Sequence, residues 1–246
     1  MTDARGAPTG ASYTTAVILF DIIDYSKLSD EAQYQTIRLL SGSLRTHLDL
    51  LSCQSHLTAQ ELLLGIIPTG DGLYLLIREQ YADFGVLLAL SLRTQVLVVR
   101  EQSGGLFAGL RTCVHVGKVI AVSDIVGGDN FVGRGLNDCA RYCSYKPGAA
   151  QLAEVGCADG NWVIASAAAL ARFEAAFAFA DAMAYRESIA YAAGTPFTFE
   201  DKHGQAHAGC LVEATRYMQG RPPPMPDLSQ ALHAPRPEAA AAPARR

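Results

Sequence analysis

The sequence predicts an α+β domain, a largely antiparallel sheet with helices packed on one face. Three observations predict it. Residues 16–23, "AVILFDII", form a near-continuous β-prone apolar run, the pattern of a central strand covered on both faces. Residues 66–77, "IIPTGDGLYLLI", read as two short strands closed by a Gly-Asp-Gly hairpin. The elements then follow in the order β-α-ββ-α-β, which suggests an α+β sandwich.

Each element has its own signal. After the first strand, Ser29-Asp30-Glu31 is a plausible cap for a helix over roughly 29–52. Past the hairpin, a long helix is expected over roughly 81–102. Its apolar stretch "FGVLLALSLRTQVLVV" is interrupted by Arg93, Thr94 and Gln95, so it falls short of the roughly 20 apolar residues of a membrane span. A buried amphipathic helix is the expectation.

A strand "GLRTCVHVGKVIAV" (109–122) follows, and after the glycine-rich "DIVGGDNFVGRG" a helix runs from Leu136 to about Tyr145, stopped by "KPGA". The last third holds a strand near "NWVIA", an Ala-rich helix near 165–178 and a final strand near "AGCLVEATRY". Residues 1–11 and the Pro/Ala/Arg-rich 219–246 bury too little to offset their ordering entropy and are expected to be disordered. One domain over 12–218 remains.

Composition narrows the function classes. The chain has 246 residues, half of them hydrophobic, and a formal net charge of -4. It is long enough for one good core. No basic block could track a phosphate backbone, so nucleic acid is not an expected partner. The six cysteines (53, 113, 139, 143, 157, 210) form no CxxC pair, and the N-terminus lacks the apolar core of a signal peptide. A cytoplasmic protein with reduced thiols is expected.

Asp21 stands inside an apolar strand, where an unpaired carboxylate is costly to bury. Alone it reads as a structural residue at a strand end or helix cap, and Asp71 alone reads as a turn residue. Together they say more. If the two strands are neighbours, both carboxylates converge at one end of a sheet, and such pairs bind Mg²⁺ or Mn²⁺ for phosphoryl transfer. Hard oxygen donors without a nearby His or Cys favour those metals over zinc.

Asn137 and Arg141 are one helical turn apart on one face, which is either a solvated polar face or part of a site. The preceding "GGDNFVGRG" can bring backbone close to a ligand, and Arg clamps a transferring phosphoryl group. Arg111, in a strand of apolar and small residues, is a further phosphate candidate. Cys139 and Cys143 have helical spacing but no completing ligands, so they read as buried thiols. His115 reads as a strand histidine satisfied locally.

Four segments in order, "FDIIDYSKLS", "TGDG", "LRTCVHVGKV" and "NFVGRGLNDCARYCSYKPGA", resemble the catalytic domain of class III nucleotidyl cyclases over about residues 13–215. The resemblance implies a ferredoxin-like sheet and a head-to-tail homodimer with sites shared across the interface. By position, Asp21, Asp71 and the carbonyl of Ile22 would hold two divalent metals, Mg²⁺ or Mn²⁺. Arg111 would contact the outer phosphates. Asn137 would orient the ribose and Arg141 would stabilise the pentavalent phosphorus, both from the partner chain.

The departures bear on the substrate. Where adenylate cyclases of this family carry a base-reading Lys and Asp, the chain has Ile67 and Asn130. Ile67 can neither donate to nor accept from a purine, and the neighbouring Phe131 narrows the space for a two-ring base. Asn130 can pair with uracil or cytosine. Thr69 and Tyr13 are further substrate candidates, Tyr13 because it shares a strand face with Asp21.

These features resemble the stand-alone pyrimidine cyclases of bacterial anti-phage (Pycsar) defence, whose cyclic UMP or cyclic CMP activates a separate effector. UTP is favoured over CTP by resemblance only. Asp24 and Tyr25 replace the family's usual Gly and Phe. An adenylate cyclase with altered base contacts and a catalytically silent cyclase-homology module are the other readings.

Overall fold

The structure, a computed structural model, describes residues 8–55, 57–157, 162–182 and 190–216. The elements run β1 (Ser12–Ile22), α1 (Asp30–Ser55), α2 (Ala59–Leu62), β2 (Leu63–Pro68), β3 (Gly72–Ile77), α3 (Gly85–Gln102), β4 (Leu110–Ser123), β5 (Asp129–Val132), α4 (Arg134–Ser144), α5 (Ala149–Glu154), β6 (Trp162–Ser166), α6 (Ala167–Ala182), β7 (Ala190–Ala193), β8 (Phe197–Glu200) and β9 (Ala206–Arg216). The strands form one sheet in the order β2-β3-β1-β4-β6-β9-β7, with β5 added to β4 and β8 to β9. Every pairing is antiparallel except β4 with β6.

The continuous apolar run in β1 follows from its central place. Alternate residues Ala16, Ile18, Phe20 and Ile22 face Leu40 and Leu44 of α1, Leu88 and Leu92 of α3, and Phe173 of α6. Their neighbours Val17 and Leu19 face the other way, against Cys139, Tyr142 and Cys143 of α4. Fully burying a side chain such as Phe20 or Ile18 contributes about 1.5–3 kcal/mol. The long helices therefore share one face, as expected, and the shorter α4 crosses the opposite face. That second cover leaves a cleft at one end of the sheet.

Among the described residues, Glu79–Gln102 is one helical stretch apolar and long enough to cross a membrane, but 67% of its most apolar window is buried inside the domain. Arg93 explains the interruption seen in the sequence. It is buried, and its Nη1 donates to Glu213 Oε2 of β9 at 2.7 Å. Removing either partner would strand a buried charge at a cost of about 3–5 kcal/mol.

Some segments depart from expectation. Residues 8–11, expected to be disordered, run beside β4: Gly10 N–H donates to Ala121 O at 2.7 Å and Ala121 N–H to Ala11 O at 2.9 Å. Backbone pairing, invisible in composition, orders them. Strands β5 and β8 and helix α5 were not expected, and each is too short to carry a clear period. The expectations for 1–7 and 219–246 lie outside the described residues.

Candidate functional site

Asp21 is the next-to-last residue of β1 and faces α4. In register it lies opposite Gly72 of β3 on one side and Arg111 of β4 on the other. The hairpin between β2 and β3 turns through Gly70 at φ +92°, a left-handed conformation that suits glycine. Ile22 N–H donates to Asp71 O at 2.9 Å, and Thr69 Oγ1 donates to Asp71 Oδ1 at 3.2 Å. The bend is thereby tied to the end of β1. Asp21 and Asp71 share a cleft of about 290 Å³ with Leu19, Thr69, Tyr74 and Arg111, walled on the helix side by Ala140, Cys143 and Ser144.

The charges in this cleft are close. Arg111 Nε lies 2.6 Å from Asp21 Oδ2, an ion pair whose angles are not those of a hydrogen bond. Burial pushes the Asp21 carboxyl above the usual range, Arg111 opposes this, and the charge of Asp71 adds to it. Burial also pushes the Tyr74 phenol up to about 12, with smaller contributions from the nearby cysteines and Asp21.

No group of three or more His, Cys, Asp or Glu among the described residues is placed to hold a metal ion. The donor set in the cleft is of another kind. Two carboxylates and the backbone carbonyl of Ile22 are hard oxygen donors, which suit Mg²⁺ or Mn²⁺, ions that keep several waters or substrate phosphates. Burial is the main reason the Asp21 carboxyl is raised, and the nearby charge of Asp71 adds to it; a cation held between the two carboxylates would offset both. The residues fit such an ion.

Asn137 and Arg141 stand one turn apart on α4, Asn137 exposed and Arg141 half-buried. Neither lines the cleft. Arg141 Nε instead lies 3.4 Å from Asp201 Oδ2, in the turn between β8 and β9. Asp201 is firmly anchored: Oδ1 accepts from His203 N–H at 2.8 Å and Gln205 N–H at 3.0 Å, and Oδ2 lies 3.2 Å from His207 Nε2. Burial alone would raise its carboxyl, but the two backbone N–H groups and His207 bring it down to about 2.

The base-contact candidates separate. Ile67 lies directly opposite Tyr74, and Tyr74 opposite Leu19, in one row across β2, β3 and β1. Asn130 and Phe131 do not line the cleft. Asn130 Oδ1 accepts from Phe131 N–H at 2.8 Å. The buried Phe131 ring covers Gly65, where a Cβ would come within 2.5 Å of it, two residues from Ile67 on the same face of β2. Tyr13 shares the face of Asp21 but is eight residues along β1, roughly 26 Å away, so it does not reach this cleft.

Cys139 and Cys143 are buried thiols, and Cys139 Sγ donates to Val17 O at 3.5 Å. His115 is a correction. Its ring stacks on Tyr142 and its Nε2 is 3.9 Å from Asp138, but among the described residues Nδ1 has no hydrogen-bond partner; burial pulls its pKa down, with Asp138 opposing. Tyr74 and Asp201 went unnoticed in the sequence. Period two from Gly72 could have placed Tyr74 on the Asp21 face, whereas no local signal marks Asp201.

This architecture is the class III nucleotidyl cyclase fold. No protein-family model matches the chain, and no curated protein matches it by sequence. Solved structures do match. The guanylyl cyclase Cya2 superposes with a TM-score of 0.56 at 13% identity, covering 89% of this chain and 100% of that one. The guanylate cyclase domain of RhGC from Catenaria anguillulae, in complex with GTP, gives 0.50 at 14% identity over 84% of this chain and 100% of its own. A bacterial light-regulated adenylyl cyclase gives 0.51 at 9% identity, covering 90% of this chain and 56% of that one.

Proposed function

We propose that the protein is a nucleotidyl cyclase that converts a pyrimidine nucleoside triphosphate, UTP in preference to CTP, to its 3′,5′-cyclic monophosphate and pyrophosphate. The observation that carries this is the convergence of Asp21, Asp71 and Arg111 on one cleft at the end of a cyclase-fold sheet. Asp21, Asp71 and the Ile22 carbonyl would hold two divalent ions. When bound, these ions supply a lowered pKa for the 3′-hydroxyl and positive charge for the departing pyrophosphate. Arg111 binds the outer phosphates.

Asn137 and Arg141, which do not line their own cleft, complete that of a second copy, Asn137 on the ribose and Arg141 on the α-phosphorus. The exposed apolar surface supports such a dimer. Ile125 and Val126, at the tip of the β4–β5 hairpin, are 104% and 86% exposed, and the cross-strand pair Ile120 and Val132 is exposed below them. A head-to-tail homodimer would cover this surface.

The base preference rests on what lies beyond the carboxylates. Moving inward along the sheet from Asp21, a substrate meets Tyr74 and Leu19 of the cleft, with Ile67 beside Tyr74 in the same row, and beyond them the packed core around Phe131. A single ring needs less of this space than two. In this reading the protein is cytoplasmic, and its product is a second messenger in anti-phage defence, read by a separate effector. Purified protein with Mn²⁺ and each of the four nucleoside triphosphates tests it. Cyclic UMP, with less cyclic CMP, is expected. Cyclic AMP as the main product would remove the pyrimidine assignment, and no product at all would make the chain a silent module.

A further inference from the structure

Three hydroxyls line the cleft. Thr69 Oγ1 donates to Asp71 and Ser144 Oγ donates to Arg141 O, whereas the Tyr74 hydroxyl has no hydrogen-bond partner among the described residues. A half-buried phenol without a partner is either wetted by water or reserved for a ligand. Its position favours a ligand. Tyr74 sits one pleat step, about 7 Å, inward from the row Gly72–Asp21–Arg111, beyond the charges suited to phosphate. Its flanking neighbours in the row, Ile67 and Leu19, are apolar; Leu19 lines the cleft and Ile67 lies just beyond its lining.

We infer that Tyr74 is a specificity-determining residue whose hydroxyl hydrogen-bonds the edge of the substrate's base while Ile67 and Leu19 pack beside the ring. A phenol both donates and accepts, so it can meet the carbonyl of a uracil or the amino group of a cytosine. Burial keeps it protonated through the physiological range, so it brings no charge near Asp21. The apolar flanks offer a purine's extra ring nitrogens no partner, which makes the contact selective for the smaller base.

This inference rests on the cyclase reading, and its test separates the two. Tyr74→Phe keeps the ring and removes one oxygen. In the four-nucleotide assay, kcat/KM for UTP should fall about tenfold relative to wild type, while the lower rates with ATP and GTP stay unchanged. Calorimetric binding of 3′-deoxy-UTP, which cannot cyclise, should weaken by the same factor. Equal losses for all four nucleotides would place the hydroxyl on sugar or phosphate and overturn the inference, as would no loss. A wild type that forms no cyclic product yet binds 3′-deoxy-UTP through Tyr74 would sink the cyclase reading alone. A wild type that binds no nucleotide would overturn both.

Discussion

Replacing Gly72 with alanine tests how the sheet holds the site together. A Cβ there would overlap the carbonyl oxygen of Phe20, stand 2.9 Å from its carbon and lie 3.2 Å from Asp21 Cα. These are backbone atoms of β1, which pairs with β3 on one side and β4 on the other, so they cannot rotate away as a side chain would. The strands must part where Asp21 meets the hairpin. Overpacking costs about 1–3 kcal/mol, and the rigid neighbour puts Gly72→Ala near about 3 kcal/mol. For a chain of this size that is a melting-temperature drop of roughly 6–12 °C.

Gly70→Ala is the matched comparison. It has no atom within 4 Å of the added carbon, and its φ of +92° costs an L-residue only about 1–2 kcal/mol. Thermal melts of both variants, with cyclase assays below the transition, give the readout. Gly72→Ala should melt lower and lose activity even where folded, because Asp21 and Asp71 are displaced from each other. If Gly72→Ala melts at or above Gly70→Ala, or cyclises at the wild-type rate, the register argument is refuted.

Other outcomes follow from the same geometry. Asp21 has a raised folded-state pKa, so its contribution to stability is complete below the unfolded value of 3.8 and is lost as pH rises through the folded one. Metal-free Asp21→Asn should therefore be at least as stable as wild type at pH 7, with the gap narrowing toward pH 4 in urea titrations; a gap that widens on acidification would contradict this. Asp201→Asn should lower kcat by roughly ten- to hundredfold with little change in KM, by loosening Arg141; a changed KM at constant kcat would speak against that role. Because the Asp201 carboxyl is held down to about 2, its stability contribution is present above pH 3.8 and disappears only as pH falls toward 2, which melting curves of the same variant can follow. Mixing Asp71→Ala chains with Arg141→Ala chains should restore up to one working site per heterodimer, and no recovery despite proven chain exchange would exclude the shared site.

Much of the fold was legible because it rests on local periodicity. The continuous run of β1 announced a strand buried on both faces, the Gly-Asp-Gly bend announced a hairpin, and the interrupted apolar helix concealed a paired Arg93. Short elements such as β5 and β8 carried no such signal, and the ordering of residues 8–11 depends on hydrogen bonds to a strand over a hundred residues away. The site divided in the same way. The motif spacing singled out Asp21, Asp71 and Arg111, and strand pairing then brought all three to one cleft. Asn130 and Phe131, selected by their place in the motif, turned out to be a residue bonded to its own successor and a ring packed on Gly65.

The sequence by itself determined which side chains could do chemistry and which strand faces they occupy, since alternation along a strand is a local rule. Only the tertiary structure decided which of them meet. Placing Arg111 beside Asp21, Tyr74 beside Ile67, and Arg141 beside Asp201 required the lateral order and register of strands and the path of one helix across the sheet. Those are set by the packing of the whole core, to which no short segment has access.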